Sequence, residues 1–189
     1  MTARAKSAQA TADRILDAAI DIFWEEPSEE ISLEQVARRA GVSKQTVLRR
    51  FESKAGLFAA AGERSLARAR VERDDVAPGD LEGAVAALVA HYERLGDRVL
   101  RMLAQEEVSP GLRAVADQGR AYHASWCERL FAPALDRLRG ARRRRRLAQL
   151  VAVCDVYTWK LLRRDRGLSR PQTEIALREL LQPLIGGPQ

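Results

Sequence analysis

Lys44, Gln45, Thr46, Arg49 and Arg50 crowd into two helical turns, with Ser43 just before them and Lys54 just after. If this stretch is a helix, Val47 and Phe51 share its inner face and those polar groups are left outside. A basic helix held from behind can enter a major groove with its N-terminal residues at base edges, while its cations displace the counterions condensed on phosphate.

The preceding residues are suited to holding such a helix. From Leu33 to Ala40, the residues Leu33, Val36, Ala37 and Ala40 fall on one helical face, and Glu34, Gln35, Arg38 and Arg39 face water. Ser32 stands as the N-cap, and Gln35 completes a capping-box pattern. Gly41 stops the helix because glycine takes a left-handed backbone without steric cost. Ser43 caps the next helix, Lys44 to Phe51. Small Ala37 and apolar Val42 and Val47 let the two helices close on each other as a helix-turn-helix. The residues alone also fit a plain helical hairpin with a solvated basic face. Charge distribution favours the first reading: acids dominate from Asp13 to Glu34, and bases dominate from Arg38 to Lys54.

At 189 residues and 46% hydrophobic composition, the chain can bury one large core or two small ones. No run is long and apolar enough to span a bilayer, and the N-terminus lacks the apolar stretch of a secretory signal; a cytoplasmic, DNA-associated location is expected. Two cysteines, Cys127 and Cys154, without paired spacing argue against a disulfide framework. The net charge of +6 favours an anionic partner without identifying it.

Along the chain, residues 1–10 show no apolar periodicity and read as a mobile basic arm, touching phosphate or the minor groove or merely solvated. Thr11 is a cap candidate for a first helix carrying Ile15, Leu16, Ala19, Ile22 and Phe23, ended by Pro27 and Ser28. The DNA-binding domain is expected over residues 11–58 and a connecting helix over 59–77. A helical domain over 78–189 follows, with no strand alternation. Asp80 opens a long helix with Leu81, Val85, Leu88, Tyr92, Leu95, Val99 and Leu103 on one face. After Ser109 and Pro110 a short helix is expected, then one from Arg120 to about Leu138 that Pro133 kinks or divides. Two closing helices, Arg142 to Gly167 and Pro171 to Ile185, complete an all-α fold.

Other constellations carry less chemistry. The run Arg142 to Arg146 reads as a solvated helix end, since a helix N-terminus disfavours cations. His123 and Cys127 lie one turn apart with Cys154 elsewhere, but no compact ligand cluster supports a metal, and no cofactor is expected. There is no Gly-rich phosphate loop, HExxH or recognisable nucleophile setting, so no enzyme is expected. Tyr92, Tyr122, Trp126, Tyr157 and Trp159 either line an effector cavity or pack a core, with His91, Arg94, Met102, Arg120 and His123 as polar or adaptable neighbours. Leu147, Leu150, Val151, Cys154, Tyr157 and Leu161 form one closing stripe, and Leu177, Leu180, Leu181 and Leu184 another.

Taken together the order of features resembles the TetR family of transcriptional regulators. The likeness rests on Thr11 through Ala19 with Phe23, on Ile31-Ser32 through Val36-Ala37, on Ala40-Gly41-Val42-Ser43, and on Thr46, Phe51, Ser53-Lys54 and Leu57. The segments GRAYHASWCERLFAP and DVYTWKLLRRDRGLSRPQTE are similar to those of one broad subgroup. The resemblance implies three N-terminal helices for double-stranded DNA and a homodimer formed through the last two long helices. It also implies a C-terminal domain for an unknown small-molecule effector.

Carried onto this chain, Lys44 and Gln45 become base readers, Gln suited to adenine and Lys to guanine. Thr46 and Lys54 match phosphate-binding positions, and Ser32 and Ser43 flank them. Tyr92, Met102, Tyr122, His123, Trp126 and Tyr157 are the effector candidates. Leu150, Cys154, Tyr157, Leu177, Leu180, Leu181 and Leu184 are the candidates for the dimer interface. One departure stands out: where the family pattern is T-x-Y-x-H-F, this chain has Leu48 and Arg50. Leucine cannot donate to phosphate, and Arg49 with Arg50 is expected to replace the missing contact. The function expected is a ligand-released dimeric repressor reading a palindromic operator. A nonspecific or architectural nucleic-acid binder, or less readily a helical enzyme, is the alternative.

Overall fold

The structure is a computed structural model that describes residues 3–25, 31–107 and 110–186. These residues form helices and no strand. They are α1 (Ala3–Glu25), α2 (Leu33–Ala40), α3 (Lys44–Phe51), α4 (Lys54–Arg73), α5 (Leu81–Ala104), α6 (Pro110–Leu130), α7 (Ala132–Leu135), α8 (Gly140–Val153), α9 (Val156–Lys160) with a π-helical turn Leu161–Asp165, and α10 (Arg170–Ile185). No helix among them is long and apolar enough to cross a membrane.

The chain divides into two compact units, one of Met1–Arg68 with Leu103–Ala116, the other of Ala69–Met102 with Asp117–Gln189. In the first, Ile15, Ala19 and Ile22 of α1 meet Val36 and Ala37 of α2, Val47 of α3 and Leu57 of α4, all nearly or fully buried, with Phe23, Phe51 and Phe58 around them. The second is centred on Val85, Leu88, Val89 and Tyr92 of α5, Trp126, Cys127 and Leu130 of α6, Leu150 of α8, Trp159 of α9 and Leu177 and Leu181 of α10. Here Gly96 is a packing requirement: a Cβ at this position would lie 2.4 Å from the Trp159 ring.

Several boundaries differ from the sequence expectation. Residues expected as an arm are helical from Ala3, because Ala3, Ala5, Ala8 and Ala10 favour helix and Gln9 bonds Asp13 one turn on. Thr11 is no cap; it lies inside α1 and donates to the Ser7 carbonyl at 3.0 Å. Pro27, Ser28 and Ser109 lie outside the described residues. The expected short helix and the one from Arg120 are a single helix, α6, since Leu112, Ala116, His123, Trp126 and Leu130 continue one inward stripe with no proline between them. Pro133 divides rather than kinks, opening α7.

The expected helix Arg142 to Gly167 is interrupted. Asp155 accepts from the Tyr157 amide at 2.9 Å, and the Thr158 hydroxyl takes the Ala152 carbonyl at 2.7 Å, so α9 restarts on its own cap. Ser169 caps α10 through a capping box with Gln172.

Candidate DNA-binding surface

Local chemistry sets the angle between α2 and α3. The Ser32 hydroxyl accepts from the Gln35 amide at 3.1 Å, and the Gln35 side chain accepts from the Ser32 amide at 2.6 Å. At the other end of α2, Gly41 takes φ +66 and ψ 39, and the Val42 amide closes back on the Ala37 carbonyl at 2.9 Å. Two residues later Ser43 accepts from the Thr46 amide at 3.2 Å, and its hydroxyl shares a hydrogen bond with the Thr46 hydroxyl at 2.9 Å. Fully buried Val47 then pins α3 against α1 and α2.

What remains outside α3 is Lys44, Gln45, Leu48, Arg49 and Arg50, all exposed. Gln45 and Arg49 have no side-chain partner among the described residues. Lys44 pairs with Glu34 of α2 at 2.5 Å, and that contact, first of all as a hydrogen bond, holds the Glu34 carboxyl below its usual range. A base-reading Lys44 therefore exchanges Glu34 for DNA. Arg50 donates to the Ala8 carbonyl at 2.5 Å, which fastens the N-terminal extension of α1 to α3. Leu48 is 36% exposed and offers no polar group at the place where the family pattern has tyrosine.

Of the flanking candidates, Ser32 is occupied as a cap, and the Lys54 ammonium lies 5.7 Å from the centroid of the Phe58 ring. Ser53 is a residue that sequence reasoning passed over. Its hydroxyl accepts from the Gly56 amide at 3.0 Å and so caps α4; the same Ser-x-x spacing seen at Ser32 and Ser43 was the available signal. Glu52 joins α3 to α4 with φ +64, in the left-handed region.

Ion pairs secure α1 behind this surface. Arg64 of α4 reaches Asp13 at 2.8 Å and Asp17 at 2.9 Å, and Arg68 reaches Asp17 at 2.6 Å. Partial burial works to raise the Asp17 pKa, but the two arginines outweigh it and hold the carboxyl below its usual value. On the other side, Arg39 of α2 forms a two-pronged pair with Glu25. The acids of α1 are thus partly neutralised by bases of α2 and α4.

The residues proposed for an effector do not all converge. Tyr92 is buried and donates to the Cys154 carbonyl at 3.1 Å, and its ring centroid lies 5.9 Å from that of Trp159. His123 stacks on Trp126 at 6.3 Å, and Tyr122 donates to Asp74. Met102 is buried, whereas Tyr157 is 53% exposed. The aromatic groups near Tyr92 and His123 meet around Arg73, a buried residue on the connecting helix that sequence reasoning missed. Its four-residue spacing from buried Ala69 on one face of α4 was the only hint. A separate cleft of about 130 Å³, lined by Gly79, Leu81, Phe131, Pro133, Ala134, Arg137 and Ile185, includes none of the six candidates.

Among the dimer candidates, Leu150, Cys154, Leu177 and Leu181 turn inward and complete the core of their own unit. Tyr157 and Leu180 remain exposed, joined by Leu161 at 56% and Ile175 at 46%, while Leu184 is half-buried. Among the described residues no group of three His, Cys, Asp or Glu is placed to hold a metal ion.

The sequence model of bacterial regulatory proteins of the tetR family matches residues 15–61, the segment that carries the inner face of α1, the capped turn and α3. These residues are thus a DNA-binding domain of the tetR family's type. The chain is a DNA-binding transcriptional regulator.

Solved structures agree in fold across both units. NalD, the secondary repressor of the MexAB-OprM multidrug efflux pump in Pseudomonas aeruginosa, is 26% identical with a TM-score of 0.60, over 95% of this chain and 97% of that one. A transcriptional regulator from Rhodococcus sp. Rha1 is 20% identical with a TM-score of 0.70, over 92% and 95%. FadR from Bacillus subtilis, solved with stearoyl-CoA, is 14% identical with a TM-score of 0.63, over 93% and 98%. No curated protein matches the chain significantly.

Proposed function

We propose that this TetR-family regulator is a homodimeric repressor: two copies of α3 read the half-sites of an inverted repeat, and a small molecule bound in the C-terminal unit releases the DNA. The observation that carries the reading is the outer face of α3, where Lys44, Gln45 and Arg49 are exposed on a helix fixed by the Ser43 cap and Val47. A helix held this rigidly presents its N-terminal side chains at a constant depth and angle. Lys44 and Gln45 then read base edges. Thr46, Arg49, Arg50 and Lys54 serve phosphate, with Ser43 at the amide end of α3 and Ser32 fixing α2.

Dimerisation is supported by the apolar side chains that α9, its π-helical turn and α10 leave in water, namely Tyr157, Leu161, Ile175 and Leu180. A two-fold pair matches a palindromic site when its recognition helices sit about one turn of DNA apart. An effector that favours another spacing lowers DNA affinity only by its differential affinity for the two states. The unbroken helix α4, from Lys54 to Arg73, is the element through which that preference would act. That one relative of this fold is a repressor and another was solved with an acyl-CoA is consistent with this scheme.

Selection of bound duplexes from random sequence tests the reading directly. Enrichment of an inverted repeat, with loss of binding in Gln45→Ala and Lys44→Ala, is expected. Retention of random DNA with a steep salt dependence and no enriched repeat would instead establish the nonspecific binder.

A further inference from the structure

Several arginines of the C-terminal unit pair with carboxylates at the surface. Arg163 pairs with Glu93, Arg164 with Asp97, Arg94 with Glu72 and Arg129 with Asp74, and these four arginine side chains keep a quarter or more of their surface in water. Arg73 is only 3% exposed, and no carboxylate among the described residues pairs with it. Aromatic rings and thiols surround it, and the Cys127 thiol, its pKa brought down to about 6 first by its hydrogen bond with Cys154 and then by His123 and Arg73, is the acid that feels its charge. The guanidinium lies 4.0 Å from the Trp126 ring centroid and 5.5 Å from that of Tyr122.

Its Nη2 lies 3.3 Å from His123 Nδ1, while His123 Nε2 lies 3.2 Å from the Val151 carbonyl. The carbonyl can only accept, so His123 carries its proton on Nε2 and offers Nδ1 as the acceptor for Arg73: a neutral ring. His91 is neutral as well, its pKa lowered to about 3 by burial and then by Arg73 and Arg94. Two buried polar atoms here have no hydrogen-bond partner, Nε of Arg73 and Nδ1 of His91.

A guanidinium cannot shed its proton to escape this situation, and a buried charge left without a counter-ion carries a heavy desolvation penalty. Trp126 covers one face of the Arg73 guanidinium, and Nε–H is its buried donor without a partner. Nη2 has two hydrogens, one of which goes to His123, and the other, alongside Nε–H, fits a planar carboxylate in two parallel hydrogen bonds.

From this geometry we propose that Arg73 is the anchor of the effector site, and that the effector is an organic acid whose carboxylate binds the Nε edge while its apolar body lies among Trp126, Tyr92 and Tyr122. The proposal rests on the C-terminal unit being the effector-binding one and supplies the ligand's chemical class. Binding would place a ligand against the last turn of α4, whose Arg73 carbonyl already accepts from Trp126 Nε1 at 3.1 Å.

Titration calorimetry on the full-length protein without DNA tests this, using 2-naphthoate, decanoate and acetate, the neutral amides of the first two, and inorganic phosphate. At least one apolar carboxylate is expected to saturate, binding at least tenfold tighter than its amide and than acetate or phosphate. Arg73→Gln should abolish the preference for acid over amide, and Arg73→Lys, which keeps the charge but not the two-pronged edge, should weaken the acid at least fivefold. If Arg73→Gln does not fold, the Arg73→Lys variant and the acid–amide comparison on the native protein still decide the matter. Equal binding of acid and amide, an Arg73→Lys variant with native affinity, or no binding of any carboxylate would overturn the proposal. Tighter binding of phosphate than of every carboxylate would overturn the carboxylate class. None of these results touches the DNA-binding reading, which the duplex selection tests separately.

Discussion

Arg49 offers a quantitative test of how α3 grips the DNA backbone. It is exposed on α3 and has no partner to give up among the described residues, so its replacement by alanine should remove a phosphate contact without disturbing the fold. Each phosphate neutralised contributes about 0.9 to the slope of log K against log salt, so loss of the contact from both half-sites should flatten the slope by about 1.8. Across a fourfold rise in salt, from about 50 to about 200 mM, that difference amounts to a factor of about 12. Arg49→Ala should therefore bind the selected operator more weakly at low salt, with a deficit that shrinks about 12-fold at the higher concentration. Fluorescence anisotropy with labelled operator over that salt range measures it. Deficits of equal size at both salts, or no deficit, would refute the assignment of Arg49 to phosphate and leave the substitution of Leu48 for tyrosine uncompensated by this residue. Arg50 should behave differently. It also holds the Ala8 carbonyl, so Arg50→Ala is expected to accelerate amide exchange over residues 3–10 in the free protein as well as flatten the salt slope.

Three further outcomes follow from named features. Glu52 pays a steric penalty at φ +64 that glycine avoids, so Glu52→Gly should stabilise the protein by about 1 kcal/mol in urea unfolding; a loss of stability would contradict the strained turn. His91 has its folded pKa depressed to about 3 from 6.5, so the unfolded chain binds the extra proton in between, and stability should fall on acidification from pH 6.5 towards 3. That fall should be on the order of 1 kcal/mol per pH unit, and His91→Leu should remove it from the pH dependence of thermal unfolding; an unchanged acid limb would show that His91 is not held neutral. Finally, Tyr157→Glu combined with Leu161→Glu places like charges on an exposed apolar face. Sedimentation should show monomers that retain native helicity, and a persistent dimer would locate the interface elsewhere.

Much of the N-terminal unit was legible in the sequence because its determinants are local. A capping box acts between residues three apart, a glycine stop acts at one residue, and the stripe of α2 and α3 repeats within a turn or two. Ser32 with Gln35, Gly41 at φ +66 and Ser43 with Thr46 all stand where these rules place them. Where the sequence reading departed from the structure, the deciding interaction was longer in range or weaker in composition. Alanine-rich residues 3–10 carry no apolar stripe, so the periodicity that marks other helices was silent there, although helix propensity and the tie from Arg50 to Ala8 favour a helix. Asp155 looked like any acid in a helical run until its side chain was seen to cap the Tyr157 amide.

Local rules suffice for the all-α class, the capped turn and the outer face of α3. All of these depend on backbone geometry within a few residues. Packing between helices selects which leucines of a wide stripe face inward. Leu177 and Leu181 are buried while Leu180, on the same helix, stays in water, because the choice depends on what packs against α10 and not on spacing along it. The same holds for Arg73. Its charge is written in the sequence, but its burial against Trp126 exists only once the chain has folded.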